Sequence, residues 1–133
     1  MAAIRSRDTK AELLLRNNLR DLGLSGYRCN HFSLPGKPDI VFTKYRVAVF
    51  VDGAYWHGHP KHFTFGRLGK YWDDKIRNTQ RRDREQAAQL RSQRYRVLRF
   101  WDFQVLAASH RCVATICEAL AVKGHPVARA RRK

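Results

Sequence analysis

Acidic residues are scarce in this sequence, and so are cysteine, proline and long apolar runs. Eleven Asp and Glu stand against 27 Lys and Arg, which gives a formal net charge of +16. The three cysteines are odd in number and irregularly spaced, which argues against a disulfide framework and favours a reduced, cytoplasmic protein. No apolar run approaches the roughly 18 residues that span a bilayer, and the polar residues 1–10 predict no secretory signal. We therefore expect no membrane partner.

The excess of basic residues indicates a polyanionic partner, with nucleic acid favoured over a membrane surface or a ribosome-like assembly. Each phosphate that a basic side chain neutralises releases condensed counterions and adds affinity independent of sequence. The 133 residues are the size of one domain. We predict a single domain over residues 1–123 and a disordered basic tail over residues 124–133.

Hydrophobic spacing predicts an α/β fold, a mixed sheet flanked by helices. The predicted helices cover residues 9–22, 71–93 and 104–122, and the predicted strands cover residues 27–32, 38–43, 46–51 and 95–101. Thr9 and Glu12 have the spacing of a capping box, and Gly23 lies where a helix would end. The strands 38–43 and 46–51 are expected to form a hairpin. Cys112 and Cys117 are expected to be small core residues.

Two aspartates mark a candidate metal site on this hairpin. Asp39 opens one predicted strand after Pro38, and Asp52 follows the next strand. Mg²⁺ takes hard oxygen ligands and usually keeps several waters, so one or two carboxylates and a backbone carbonyl suffice. The alternative for Asp39 is an ordinary strand-end aspartate after proline.

Aromatic and histidine side chains crowd the segment after the second strand. His57 can act as a general base near neutral pH, and Tyr55 and Trp56 are flat apolar wedges of the kind that unstack bases. A core aromatic pair with a hydrogen-bonded histidine is the alternative. Zinc binding by His57, His59 and His62 is a poor match to structural zinc spacing because no cysteine lies nearby.

Two further acids have both structural and functional interpretations. Glu12 is explained by the capping box alone. Asp83 lies on the apolar stripe of the 71–93 helix, where a buried acid needs a partner. An arginine pair is the structural explanation for Asp83.

Several motifs together resemble the Vsr endonucleases of very-short-patch mismatch repair. They are the runs Leu34 to Phe42, Tyr45 to Pro60, Ile4 to Glu12, Tyr71 to Ile76 with Arg82 and Asp83, and Tyr95 to Asp102, which together span roughly residues 3–105. The resemblance implies a restriction-endonuclease-like fold of the PD-(D/E)XK type. It also implies Mg²⁺-dependent nicking of one strand on the 5′ side of the thymine in a G:T mismatch, the product of 5-methylcytosine deamination.

The resemblance also implies a set of roles. Asp39 is implied as the Mg²⁺ ligand with the backbone carbonyl of Val51, and His57 as the catalytic histidine. Glu12 is implied as the acid near the N-terminus that supports the site, and Asp83 as a further acid. Asp52 is a departure from the family, since some members have histidine there, and as a new carboxylate it is expected to join the catalytic residues. DNA contacts are expected at Tyr55 and Trp56, which would wedge into the duplex, and at Met1, Ile4, Arg5, Arg7, Lys37, Arg77 and Arg81.

One departure from the family concerns zinc. Better-studied members bind a structural zinc through three cysteines and a histidine, and here the cysteine positions read Ala54, Lys61 and Phe103, with His59 retained. We therefore predict no structural zinc and a loop packed by Phe63, Phe65 and Trp101.

The resulting expectation is a bacterial, cytoplasmic, nucleoid-associated mismatch endonuclease with a functional link to a DNA cytosine methyltransferase. A monomer is expected because a mismatch has no two-fold symmetry. Two alternatives stay open at this point. One is a restriction-type or damage-directed nuclease of the same fold that cuts paired DNA, and the other is a non-catalytic DNA-binding module.

Overall fold

A computed structural model describes residues 9–24, 26–29, 33–54, 57–60 and 63–128 of the chain. Within these ranges the helices are α1 (Lys10–Asp21), α2 (Lys70–Ser92) and α3 (Asp102–Val122). The strands are β1 (Arg28–Cys29), β2 (Ile40–Phe42), β3 (Val47–Asp52) and β4 (Arg96–Trp101). The described strands form one sheet in the order β1-β2-β3-β4. The predicted order of elements and the predicted α/β class are confirmed.

The sheet is mixed because its last connection crosses over through a helix. β1 pairs antiparallel with β2, and β2 pairs antiparallel with β3 as the predicted hairpin. α2 then carries the chain back so that β4 pairs parallel with β3, as a helical crossover allows. The parallel register aligns Asp52 with Trp101. The last residues of β3 and β4 therefore lie side by side at one end of the sheet.

Alternation along the strands divides the core into two layers. Val47 and Val49 of β3 pack in the larger layer with α1 and α3, through residues such as Leu15 and Ile116. Ala48 and Phe50 of the same strand face the other way, onto Leu90 of α2. Side chains of even number at the end of β3 therefore point toward α2, which decides the position of Asp52.

Local chemistry moved several element boundaries from their predicted positions. β2 begins at Ile40 rather than at residue 38, because Pro38 has no N–H and Asp39 bonds to β3 through its side chain. β3 begins after Arg46, whose φ of 54° belongs to the turn, and extends to Asp52. α3 begins at Asp102, where the Asp102 carboxylate accepts from the Phe103 N–H at 2.8 Å.

The predicted boundary at residue 123 is wrong for the first part of the tail. His125 and Ala128 are 7% and 0% exposed. Gly124, with φ of 92°, turns the chain after α3. The ring of His125 then packs 4.7 Å from the ring of Tyr45. Residues 124–128 therefore belong to the domain, and residues 129–133 lie outside the described part of the chain.

No apolar run of membrane-spanning length was expected, yet one helix in the described part of the chain passes that test on length and mean hydropathy. α3 is long and apolar enough to meet that criterion by length and composition. Its side chains Val113, Ile116 and Leu120 lie in the larger core layer against α1. Cys112 is buried in the same layer and Cys117 packs half-buried against it, as predicted. These contacts are those of a core helix.

Candidate active site

Asp39 and Glu12 meet beside the end of β3. The carboxylate of Asp39 accepts the backbone N–H of Val51 at 2.7 Å, and its side chain is hydrogen-bonded to that of Glu12. The N–H and C=O of one strand residue point to the same side, so the Val51 carbonyl lies on the Asp39 side of β3. The two implied metal ligands and the supporting acid therefore converge, although Glu12 is 39 positions from Val51 in the sequence.

Glu12 reaches this site from the first turn of α1. The capping box is present: Thr9 N–H donates to the Glu12 carboxylate at 2.7 Å, and Glu12 N–H donates to the Thr9 hydroxyl at 3.3 Å. Glu12 is nevertheless only 1% exposed, which a capping role does not require. The structural and functional interpretations of Glu12 are thus both compatible with its position.

His57 and Asp83 form a second pair at the same end of the sheet. His57 Nδ1 lies 2.5 Å from a carboxylate oxygen of Asp83 on α2. The His57 carbonyl accepts from Gln80 Nε2 at 3.2 Å, so two positions of α2 hold this loop. Gly58, with φ of 74°, allows the close approach, since a Cβ there would lie 2.4 Å from Gln80 Nε2. Asp83 is therefore hydrogen-bonded to a histidine, while its other carboxylate oxygen lies within ion-pair distance of an arginine, as the structural alternative expected.

Asp52 is bound by an arginine that sequence reasoning missed. Arg99 Nη1 donates to both carboxylate oxygens of Asp52, at 2.9 and 3.1 Å, and lies 3.9 Å from Asp83. The guanidinium stacks over the ring of Phe50, with Cζ 4.0 Å from the ring centroid. The signal was a charge inside the apolar run of β4, the same argument that singled out Asp83 on α2.

The charges of the site shift several pKa values. Burial, followed by the hydrogen bond to Glu12, raises the pKa of Asp39 to about 9. Burial also raises the pKa of Asp52, against the opposing charge of Arg99. Burial lowers the pKa of His57, but the hydrogen bond to Asp83 and the charges of Asp52 and Asp83 outweigh it and raise that pKa overall. Shifts of this kind are characteristic of functional sites.

A cleft of 430 Å³ opens beside these groups. It is lined by Asp52, His57, Gln80, Asp83, Arg84, Arg99, Phe100 and Trp101. The exposed face of α2 next to it carries the predicted basic residues, namely Lys75, Arg77, Arg81, Arg84 and Arg91. The cleft therefore combines acids, a base and flanking cations, which is the composition expected for a site that cuts a phosphodiester.

Aromatic packing fills the positions at which related proteins were expected to bind zinc. The ring of His59 lies edge-on to Trp101 at 4.8 Å and to Phe103 at 4.9 Å. Phe63 and Phe65 contact each other at 5.1 Å. The backbone of Ala54 donates to Asp102 at 3.3 Å. These contacts are the packing that the sequence predicted for this loop, while the absence of zinc stays a prediction.

Several predicted DNA contacts lie outside the described residues. They are Tyr55, Trp56, Met1, Ile4, Arg5 and Arg7. Lys61 and His62, which were considered above in connection with zinc, also lie outside the described residues. Three other predicted DNA contacts are described and exposed. Lys37 lies in the turn before Asp39 with φ of 49°, and Arg77 and Arg81 lie on α2. Their positions agree with a role in binding DNA and do not test it.

Comparisons with known proteins agree with these features. A family model described as DNA mismatch endonuclease Vsr matches residues 1–62. A type II nicking enzyme of Neisseria meningitidis serogroup C is 38% identical over 123 residues, covering 90% of this chain and 82% of the relative. A type II nicking enzyme of Xanthomonas oryzae pv. oryzae is 36% identical over 109 residues, covering 79% of this chain and 78% of the relative.

The DNA mismatch endonuclease Vsr of Escherichia coli is 36% identical over 104 residues, covering 77% of this chain and 66% of the relative. The matched segments cover more than two thirds of both type II nicking enzymes, at 36% identity or more. The chain belongs to the Vsr family of DNA endonucleases, with its restriction-endonuclease-like fold.

Proposed function

We propose that this endonuclease nicks one strand of duplex DNA on the 5′ side of the thymine in a G:T mismatch, in a Mg²⁺-dependent reaction. The observation that carries the proposal is the convergence of two pairs, Asp39 with Glu12 and His57 with Asp83, at one end of the sheet. The mismatch endonuclease of Escherichia coli and the description of the family model support the choice of substrate.

The donor set at Asp39 fits Mg²⁺. Two hydrogen-bonded carboxyl groups, as Asp39 and Glu12 are, form an arrangement that a hard cation would stabilise. Among the described residues, no three His, Cys, Asp or Glu side chains form a metal cluster. The ligands would be Asp39 and the Val51 carbonyl, with water completing the shell. A bound Mg²⁺ would supply charge that stabilises the phosphate as it is attacked.

The remaining chemistry falls to His57. With its Nδ1–H donated to Asp83, the Nε2 atom of His57 carries a lone pair and can accept the proton of the attacking water. Asp83 fixes the ring and stabilises the imidazolium that forms, as a carboxylate does behind a catalytic histidine. The water oxygen bonds to phosphorus while the bond to the leaving sugar oxygen breaks.

DNA binding would come from the N-terminal residues, from the segments that carry Lys37 and Trp56, and from α2. Arg77, Arg81 and Lys37 would contact phosphates, which position the duplex without reading its sequence. Tyr55, Trp56 and the residues from Met1 to Arg7 keep their proposed roles at the mismatch. A monomer in the bacterial cytoplasm, linked to a DNA cytosine methyltransferase and working on the nucleoid, completes the proposal.

The proposal is tested by nicking of labelled duplexes that differ only in one G:T or G:C pair, with Mg²⁺ or EDTA. We expect Mg²⁺-dependent nicking of the thymine strand at G:T alone. Asp39→Ala should abolish nicking and leave DNA binding intact, because the carboxylate serves the metal and not the duplex. Asp39→Asn is the matched control for shape, since the amide keeps an acceptor for the Val51 N–H. Nicking by either variant would contradict the site.

A second candidate keeps the site and changes the substrate. The relatives from Neisseria meningitidis and Xanthomonas oryzae are named type II nicking enzymes, and the loop around His59 is built of aromatic contacts. This candidate is an endonuclease that cuts paired DNA. Equal cleavage of the G:T and G:C duplexes would establish it in place of mismatch repair.

A further inference from the structure

The imidazole of His57 lies between two carboxylates. Nδ1 is 2.5 Å from Asp83 on α2, and Nε2 is 3.8 Å from Asp52 on β3. A carboxylate on each side favours the doubly protonated ring, which cannot accept a proton. For His57 to act as a base, one of the two carboxylates must therefore bind a group other than the imidazole.

Arg99 engages Asp52. Its Nη1 atom contacts both Asp52 oxygens, at 2.9 and 3.1 Å, and the pair is largely buried, with side-chain exposures of 24% and 11%. The ring of Phe50 supports the guanidinium from below at 4.0 Å. The 3.8 Å gap between Asp52 and Nε2 is longer than a hydrogen bond, so the carboxylate is held by Arg99 and not by His57.

We propose that Arg99 is a positioning residue for the nicking reaction, which holds the Asp52 carboxylate away from His57 Nε2 and leaves that atom open to the cleft. The inference rests on the proposed role of His57 as the base. The charged groups that face His57 are Asp52 from β3, Asp83 and Arg84 from α2, and Arg99 from β4. Among these groups, Arg99 is the cation that binds Asp52, and Asp52 is the acid that would otherwise bind the protonated Nε2 of His57.

Loss of Arg99 has a defined consequence. In Arg99→Met, the Asp52 carboxylate turns toward the imidazole and stabilises the proton on Nε2. The pKa of His57 therefore rises. We expect its midpoint to rise by about one pH unit, which lowers the neutral fraction at neutral pH by about tenfold. In the double variant Arg99→Met with Asp52→Asn the competing charge is gone, and the midpoint should return to the wild-type value or below it.

The experiment is an NMR titration of the His57 ring in the full chain without metal or DNA. The ring signal is assigned by its loss in His57→Gln. The pH profile of nicking is measured in parallel. Arg84→Met is the matched control, because it removes a cation of the same cleft that makes no ion pair with Asp52 in the described part of the chain. It should move the midpoint less than Arg99→Met does. Arg99→Lys keeps the charge and should retain most of the wild-type midpoint.

Each outcome decides the proposal. A raised midpoint in Arg99→Met that Asp52→Asn reverses supports it. An unchanged midpoint overturns it, as does a higher KM with an unchanged pH profile, which would make Arg99 a substrate contact. If Arg99→Met does not fold, Arg99→Gln carries the comparison, because it also removes the positive charge and keeps a polar group at this position, while Asp52 stays in place. Because the titration needs neither substrate nor metal, a failure of the mismatch proposal leaves this result readable.

Discussion

At the scale of single residues, the site depends on side chains that local sequence rules explain incompletely. Glu12 completes a capping box with Thr9, yet it is also buried against Asp39. Arg99 interrupts an apolar strand and binds Asp52. In both cases one residue contributes to local structure or charge balance and also contacts a residue of the proposed active site, so more than one requirement constrains its identity.

Gly58 is a single backbone position that allows the loop around His57 to pack against α2. Gly58→Ala places a methyl group 2.4 Å from Gln80 Nε2 and 2.6 Å from Ile76 Cγ2, at a φ of 74°. The left-handed backbone and the clash should together lower the free energy of unfolding by about 2–4 kcal/mol. Nicking should also slow, because Gln80 holds the His57 carbonyl. Urea denaturation and single-turnover nicking measure the two effects.

Gly66→Ala is the control for this prediction. Gly66 has a φ of 88° but no heavy atom within 4 Å of an added Cβ, so it reports backbone strain alone, about 1–2 kcal/mol. Equal decreases in stability in the two variants would contradict the proposed packing of Gly58 against α2.

At the scale of elements, α2 has two functions on two faces. Its buried face carries Ile76 and Leu90 into the core, while Asp83 on the same side bonds to His57. Its exposed face is basic. The spacing of apolar residues predicted this division correctly, because the apolar stripe of an amphipathic helix faces the core and its polar side faces solvent. The partner of Asp83 was not predictable in this way, since His57 lies 26 positions away in a loop.

The basic face of α2 yields a prediction about salt dependence. Replacing Arg77 and Arg81 with alanine should lower the slope of log affinity against log salt by about 0.9 for each phosphate that is no longer neutralised. Arg91→Ala is the control, since Arg91 lies about 15 Å farther along the helix than Arg81 at 1.5 Å per residue. Fluorescence anisotropy with a labelled duplex measures the slopes. A slope unchanged in the Arg77 and Arg81 variant, or lowered equally by Arg91→Ala, would contradict this interface.

At the scale of the whole molecule, the fold brings one end of the sheet against α1, α2 and the loop around His59. That loop is held by aromatic contacts to Trp101 and Phe103 and by the bond from Ala54 to Asp102. Packing of this kind needs no metal. The arrangement also seats His125 and Ala128 on the core, so the end of the domain lies later in the chain than composition indicated.

Zinc removal tests this account of the loop. A structural zinc contributes folding free energy outright, and chelators unfold proteins that depend on it. We expect the melting temperature in Mg²⁺-free buffer to be the same with and without EDTA. Phe103→Ala should lower the free energy of unfolding by about 1–3 kcal/mol, as removal of a partly buried aromatic ring does. Stoichiometric zinc by elemental analysis of the purified protein would contradict the prediction.

The sequence by itself determined the order of elements, the capping box at Thr9, the hairpin that presents Asp39, and the basic face of α2. These features are recorded in residues close together in the chain, through periodicity, capping and turn chemistry. The tertiary structure decided that Glu12 meets Asp39, that His57 pairs with Asp83, and that Arg99 binds Asp52. Each of these contacts joins residues 26 or more positions apart, whose meeting depends on sheet register and helix packing, and no local pattern encodes that geometry.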